Sequence, residues 1–203
     1  MTIKFSTILA TAVAVGVFLS NITSYGSQAG KAMNDADQLL NDTYKATIAG
    51  LPEKDLQNEL RVAQRAWVAF KEADIQFHSD LYPESKGGLW TNLSLTETRT
   101  KQLVALKKPA ADPGDTLKSA DQQLNDTYKA TMASLQDDKL KEELKKVQRE
   151  WVAFKEAEVK FHSDLFPKGK EGTKINVLLT EERTVQLQKI KKRTSGDGYT
   201  TGE

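Results

Sequence analysis

The chain contains no cysteine, which excludes disulfides, thiolate metal ligands and the thiol-linked diacyl anchor that a lipoprotein carries at its new N-terminus. Histidine is almost absent as well. The two present, His78 and His162, each follow a carboxylate, Asp74 or Glu158, by one helical turn. They are the candidate metal ligands, but such a pair supplies two donors from one helix face, and no His-Glu-x-x-His accompanies it. Neither charge sign predominates, with 29 basic and 28 acidic side chains and a formal net charge of +1. The bases alternate with acids instead of lining up with aromatic residues, which excludes a nucleic-acid groove. No Gly-x-Ser-x-Gly turn, P-loop or dinucleotide fingerprint occurs. Ser79 and Asp80 beside His78 cannot act as a triad, because adjacent helical residues point in different directions. The pattern is that of a protein without catalytic residues, cofactor or enzymatic activity.

Long apolar runs are also missing. The longest, Phe5–Leu19, is uncharged but short of the ~20 residues that span a bilayer. Preceded by Lys4 and followed by the small residues of Ser27-Gln28-Ala29, it has the form of a cleaved signal peptide over residues 1–29, with cleavage after Gly26 as the near alternative. That implies a periplasmic or secreted protein with no membrane association once the signal is removed.

What the sequence does have is a duplication. Residues 36–108 recur as 120–192 at a constant offset of 84, without a gap, and 43 of the 73 aligned positions are identical. Helical repeat 1 is placed at 34–108, a linker at 109–117, helical repeat 2 at 118–193 and a flexible tail at 194–203. The first repeat is near neutral, with 10 bases and 11 acids over 34–108, whereas 118–193 carries 17 and 13. Two prolines in Pro109–Asp115 restrict the linker, so the copies are expected to sit close together.

Within each copy the apolar residues follow helical spacing, which predicts an all-α fold of two tandem three-helix modules, each with one long central helix. Leu40, Tyr44, Ile48 and Leu51 form one face of the first helix, repeated as Leu124, Tyr128, Met132 and Leu135. A second helix over 53–81, roughly 43 Å long at 1.5 Å per residue, carries Leu56, Leu60, Ala63, Trp67, Phe70, Phe77 and Leu81. Pro52 suits its first turn and Pro83 stops it. The third helix is expected to open near Ser94, where Ser94-Leu95-Thr96-Glu97 has capping-box form, and to turn Leu95, Leu103 and Leu106 inward. The Gly-containing stretches Pro83–Leu93 and Pro167–Val177 read as loops.

Two charges interrupt these stripes at matching places. Asp74, equivalent to Glu158, stands between Phe70 and Phe77; Arg99, equivalent to Arg183, stands between Leu95 and Leu103. Each is expensive to bury alone, so structural ion pairs are expected within each copy, Asp74 with Arg99 and Glu158 with Arg183. A guanidinium so placed keeps the carboxylate ionised and unfit as a proton donor. Trp67 and Trp151 belong to the apolar stripe. Trp90 does not: it falls in the Gly87-Gly88-Leu89-Trp90 segment, and its counterpart is Lys174.

The combination of Asn-Asp-Thr-Tyr-Lys, then Gln-Arg-x-Trp-Val-x-Phe-Lys-Glu-Ala-acid, a glycine-containing loop and Leu-Thr-Glu-x-Arg-Thr, present in both copies, resembles the lysozyme inhibitor LprI-like N-terminal domain family. In that family the acid after the alanine is typically followed by a cysteine, paired with another shortly before the Thr-x-x-Arg segment; here Ile75 and Val159 occupy the first slot. The resemblance implies an exported bacterial binding protein whose protein partner is a lysozyme. The alternative is a periplasmic structural or adaptor module with an unknown protein partner. For an inhibitor, the expected contact is the loop containing Gly87, Gly88, Leu89 and Trp90, since a flexible protrusion with an aromatic anchor can block a cleft. The lysines of the second loop would repel a cationic lysozyme, so the copies are not expected to bind equivalently.

Overall fold

A computed structural model of the chain describes residues 6–106, 110, 112–113 and 116–194, with side chains described from Gln28 onward. Most of the expected signal segment, linker residues 109, 111, 114 and 115 and the tail beyond Thr194 therefore lie outside the described side chains. The described residues form six helices and no strand: α1 (Ser6–Gly50), α2 (Lys54–Leu81), α3 (Gly87–Ala105), α4 (Leu117–Ser134), α5 (Asp138–Leu165) and α6 (Glu171–Thr194). This is the all-α, two-module architecture that the periodicity predicts.

In each module the outer helix lies on the third and the third on the second: α1 on α3 and α3 on α2, then α4 on α6 and α6 on α5. The modules meet through the two long helices, α2 against α5. These run antiparallel. Lys139, near the start of α5, reaches Asp80 near the end of α2 at 2.8 Å, and Lys160 near the end of α5 reaches Glu59 near the start of α2. At the crossing, the equivalent rings Phe70 and Phe154 stack with centroids 6.1 Å apart and planes 2° from parallel. The duplication is thus folded about a pseudo-twofold axis, and a single apolar cluster runs through both copies, with Leu60, Phe77, Leu144, Phe161 and Leu187 fully buried. Trp67 and Trp151 are buried at equivalent places.

Two expected boundaries are corrected. The third helix opens at Gly87, well before Ser94, which is an exposed mid-helix residue and caps nothing. Pro83–Ser85 makes one turn of 3-10 helix, and Lys86, at φ 55°, reverses the chain in the left-handed region. The new helix then starts against the end of α2. Its second residue, Gly88, lies so close that a Cβ there would stand 2.9 Å from the Ile75 carbonyl oxygen; Gly172 in α6 would meet the Val159 oxygen at 3.0 Å. The two glycines mark a close helix contact and not a flexible loop. Pro52 likewise falls just before α2 instead of in its first turn, with Glu53 as the N-cap residue. In the second copy Asp137 takes that role and its side chain accepts from Lys139 N at 2.8 Å.

Candidate functional site

The centre of the molecule holds the charges that interrupt the apolar stripes, but with partners exchanged. Arg99 Nη1 lies 2.5 Å from Glu158 Oε1, and Arg183 Nη1 lies 3.4 Å from Asp74 Oδ1. Each arginine pairs with the other copy's carboxylate, which corrects the expectation of pairs within a copy. The register explains why. Gln64 and Asp74 are ten residues apart on α2, roughly 15 Å along its axis. Arg99 is level with Gln64, whose Oε1 accepts its Nε–H at 2.9 Å. Antiparallel packing then carries Glu158, not Asp74, to that level. The mate is built alike: Arg183 Nε donates to Gln148 Oε1 at 3.2 Å, and Gln102 and Gln186 each accept from the arginine of their own helix.

Both guanidinium groups are essentially without solvent contact, at 1% and 0% exposure. Each also lies 5.4 Å from a ring of the opposite copy, Arg99 over Phe154 and Arg183 over Phe70. Burial pushes Glu158 up, but the Arg99 charge and His162 more than offset it and hold the carboxyl below its ordinary value. Arg183 is drawn down from its ordinary value by burial, with Asp74 opposing. The histidines extend this network: His78 Nδ1 is 2.9 Å from the Asp74 carbonyl and 3.6 Å from its carboxylate, and His162 Nε2 is 3.5 Å from Glu158. Among the described residues no group of three or more possible metal ligands converges. The arrangement can lock helix register and bind the copies to each other.

The copies differ at their edges. In the second, Glu171 Oε2 accepts from Ala110 N at 2.7 Å, and Lys174 reaches Asp112 at 3.0 Å, Glu171 at 3.3 Å and the Ala110 carbonyl at 3.3 Å. The linker is held across the start of α6, and hydrogen bonds to Asp112 and Glu171 raise the Lys174 ammonium above its ordinary value. In the first copy the equivalent positions are Gly87 and Trp90. Gly87, Gly88, Leu89 and Trp90 lie in the opening turn of α3, not in a loop; Gly88 is buried, whereas Trp90 is 56% exposed. Beside Trp90 is an open cleft of about 470 Å³, walled by His78, Tyr82 and Leu95 on one side and Lys189, Ile190 and Arg193 on the other.

That cleft exists because the third helices end differently. α3 stops at Ala105, while α6 continues past the equivalent Lys189 to Thr194, and its added turn brings Arg193 to 5.4 Å from the Tyr82 ring. Burial pushes the Tyr82 phenol up, with Arg193 pulling the other way. Among the described residues its buried O–H finds no acceptor, since the Arg193 guanidinium beside it can only donate. Sequence periodicity missed this cleft. The available signal was the departure from repeat identity at Gly87/Glu171 and Trp90/Lys174, next to the retained Gly88/Gly172.

Fold and site together define a duplicated, cysteine-free helical protein with charges paired across the copies at its centre and a distinctive edge on the first copy. The chain belongs to the lysozyme inhibitor LprI family, whose profile matches residues 21–103 and again 112–191. The crystal structure of an uncharacterized protein from Burkholderia thailandensis is similar, with a TM-score of 0.63 and 18% identity over 81% of this chain and 84% of that one. At that identity the likeness is one of fold. No match is found among curated proteins.

Proposed function

We propose that this protein is exported and inhibits a lysozyme by direct protein contact. The observation that carries the reading is the family match over both copies, which takes in most of the chain. Export is supported by the uncharged run Phe5–Leu19 and the small residues at 27–29. Packing agrees with removal of residues 1–29: Met33 and Leu40 are buried on α1, whereas Gln28–Asp37 is otherwise exposed or half-buried. Cleavage after Gly26 or Ala29 would leave that packing intact. Among the described residues no helix is long and apolar enough to cross a membrane.

Trp90 is the anchor we assign to the contact. A large amphipathic ring on a rigid helix start can enter an enzyme cleft at low entropic cost, and aromatic anchors dominate interface energetics. Its equivalent in the second copy is Lys174, already engaged by the linker, so inhibition should come from one edge only. The test is a lysis assay with lysozymes of several classes, using the form of the protein recovered from the exporting cell, Trp90→Ala and Lys174→Trp. Inhibition lost in Trp90→Ala and kept in Lys174→Trp is the expected result. No inhibition by wild type against any class overturns the reading in favour of an adaptor. One feature favours that second reading: an apolar groove of about 450 Å³ between the ends of α1 and α3, lined by Leu51, Leu103, Val104 and Leu106.

A further inference from the structure

We propose that the cleft beside Trp90 is a docking groove for an extended, carboxylate-bearing segment of a protein partner, the counterpart of the position that the linker takes against the second copy. The inference deepens the contact reading above and rests on it. Its first support is internal. Under the pseudo-twofold, the second copy shows this edge already occupied: Ala110 and Asp112 are held by hydrogen bonds and an ion pair at the start of α6. Among the described residues no such chain crosses the same edge of the first copy, and the lining differs, with Gly87 and Trp90 where the second copy has Glu171 and Lys174.

Those changes are chemically consistent. Glu171, which captures a backbone N–H in the second copy, becomes Gly87, so no carboxylate is left there to repel an acidic ligand. Lys174 becomes Trp90, which trades an ion pair for an aromatic platform. Positive charge comes instead from α6: from Lys189, which stands where the first copy has Ala105, and from Arg193 on the added turn. The one acid in the lining, Asp74, is 3% exposed and already paired with Arg183. The buried Tyr82 hydroxyl is a donor without an acceptor, and an unpaired buried donor favours a ligand that brings an oxygen. Two cations, an orphan O–H and an exposed ring along one open cleft fit an extended backbone carrying a carboxylate.

The probe is a fluorophore-labelled peptide with the linker's own sequence, Pro-Ala-Ala-Asp-Pro-Gly-Asp (residues 109–115), titrated with the full chain up to millimolar concentration and followed by anisotropy. A second peptide has both aspartates replaced by asparagine. Saturable binding is expected, weakened about tenfold or more in the asparagine peptide and in Lys189→Ala/Arg193→Ala, in keeping with the weight of desolvated charge pairs. It should be lost in Trp90→Ala and unchanged in Lys174→Ala. Circular dichroism melts of each variant verify folding; these side chains lie at the surface edge, so the variants should melt like wild type. No saturable binding, or binding indifferent to Trp90 and to the two cations, overturns the groove. The lysis assay separates the two readings. Inhibition without peptide binding removes the groove and leaves the inhibitor, and peptide binding without inhibition does the reverse.

Discussion

The two copies are nearly interchangeable at the centre of the molecule and unlike at its edge. At the centre, every element of one half has its mate: Arg99 with Arg183, Glu158 with Asp74, Gln64 with Gln148, Phe70 with Phe154. At the edge, one copy binds its own linker through Glu171 and Lys174, and the other has a half-buried Gly87 and an exposed Trp90. Substitutions after a duplication are tolerated where no partner depends on them. Each central residue has a partner in both copies, so one change strands a buried charge, whereas an edge residue answers only to what docks on it.

Separation of the copies is the severest way to break the central equivalence. A fragment ending at Leu106 would keep Arg99 but lose Glu158, and would expose the face of α2 that α5 covers. About 75 residues without a disulfide have little core to spare. Such a fragment should show no cooperative thermal transition, while an equimolar mixture of the two halves should regain one. A fragment that melts cooperatively alone would show that the copies do not depend on each other.

Next in size is the loss of one charge. Arg99→Met leaves Glu158 buried and unpaired and should lower stability by about 3–5 kcal/mol, whereas Arg99→Met/Glu158→Leu should recover most of it. The decisive contrast is Arg99→Met/Asp74→Leu. Because Asp74 belongs to Arg183, that combination should be no better than the sum of its parts in denaturant unfolding. Recovery there instead would return the pairs to single copies.

How far the sequence could go is clear from these pairs. Their four residues were legible, since a charge repeated on an apolar stripe at the same position in both copies has to be neutralised. The partners were not. Pairing within a copy and across copies place the same residue types on the same faces, and only the antiparallel register of α2 and α5, a long-range property, separates them. The start of α3 was misread for a local reason: Ser94-Leu95-Thr96-Glu97 has the chemistry of a capping box, yet a close contact at Gly88 outweighs it. The duplication itself contained the correction, because Gly88 is kept as Gly172 and Ser94 is replaced by Leu178. The cleft was out of reach, since it depends on α6 being longer than α3.

Gly88→Ala and Gly172→Ala test that helix contact. A methyl group at either position meets a backbone carbonyl that cannot swing aside, so each substitution should destabilise by about 1–3 kcal/mol through overpacking. Near-equal losses are expected from the two, as the environments match. A stabilising effect of either alanine would mean that the helices separate more readily than drawn here.

Acid should act on the centre in a definite direction. Glu158 is held below its ordinary value, so its ionised form contributes stability that is fully present above about pH 4.3, the unfolded value, and is lost as pH falls through the folded one. Half-buried Asp80, which Lys139 and Gln76 lower to about 2, adds to the same trend. Thermal melts between pH 7 and pH 3 should fall only at the acid end. Arg99→Met/Glu158→Leu should flatten that fall, and an unchanged slope would remove Glu158 as its source.

The smallest effect belongs to the edge. Glu171→Gln removes the charge from the bond that Ala110 N–H makes at 2.7 Å, and charge-assisted bonds are about twice as strong as neutral ones. Glu171 is buried and also pairs with Lys174 at 3.3 Å, but it lies at the start of α6, apart from the central pairs Arg99–Glu158 and Arg183–Asp74. The melting temperature should therefore stay at the wild-type value while amide hydrogen exchange at Ala110 accelerates. The amides of α3 around Trp90, away from the bonds that Ala110 and Asp112 make to Glu171 and Lys174, should exchange as before. Unchanged protection at Ala110 would show that Glu171 is not what holds the linker, and would remove the template on which the docking groove of the first copy is drawn.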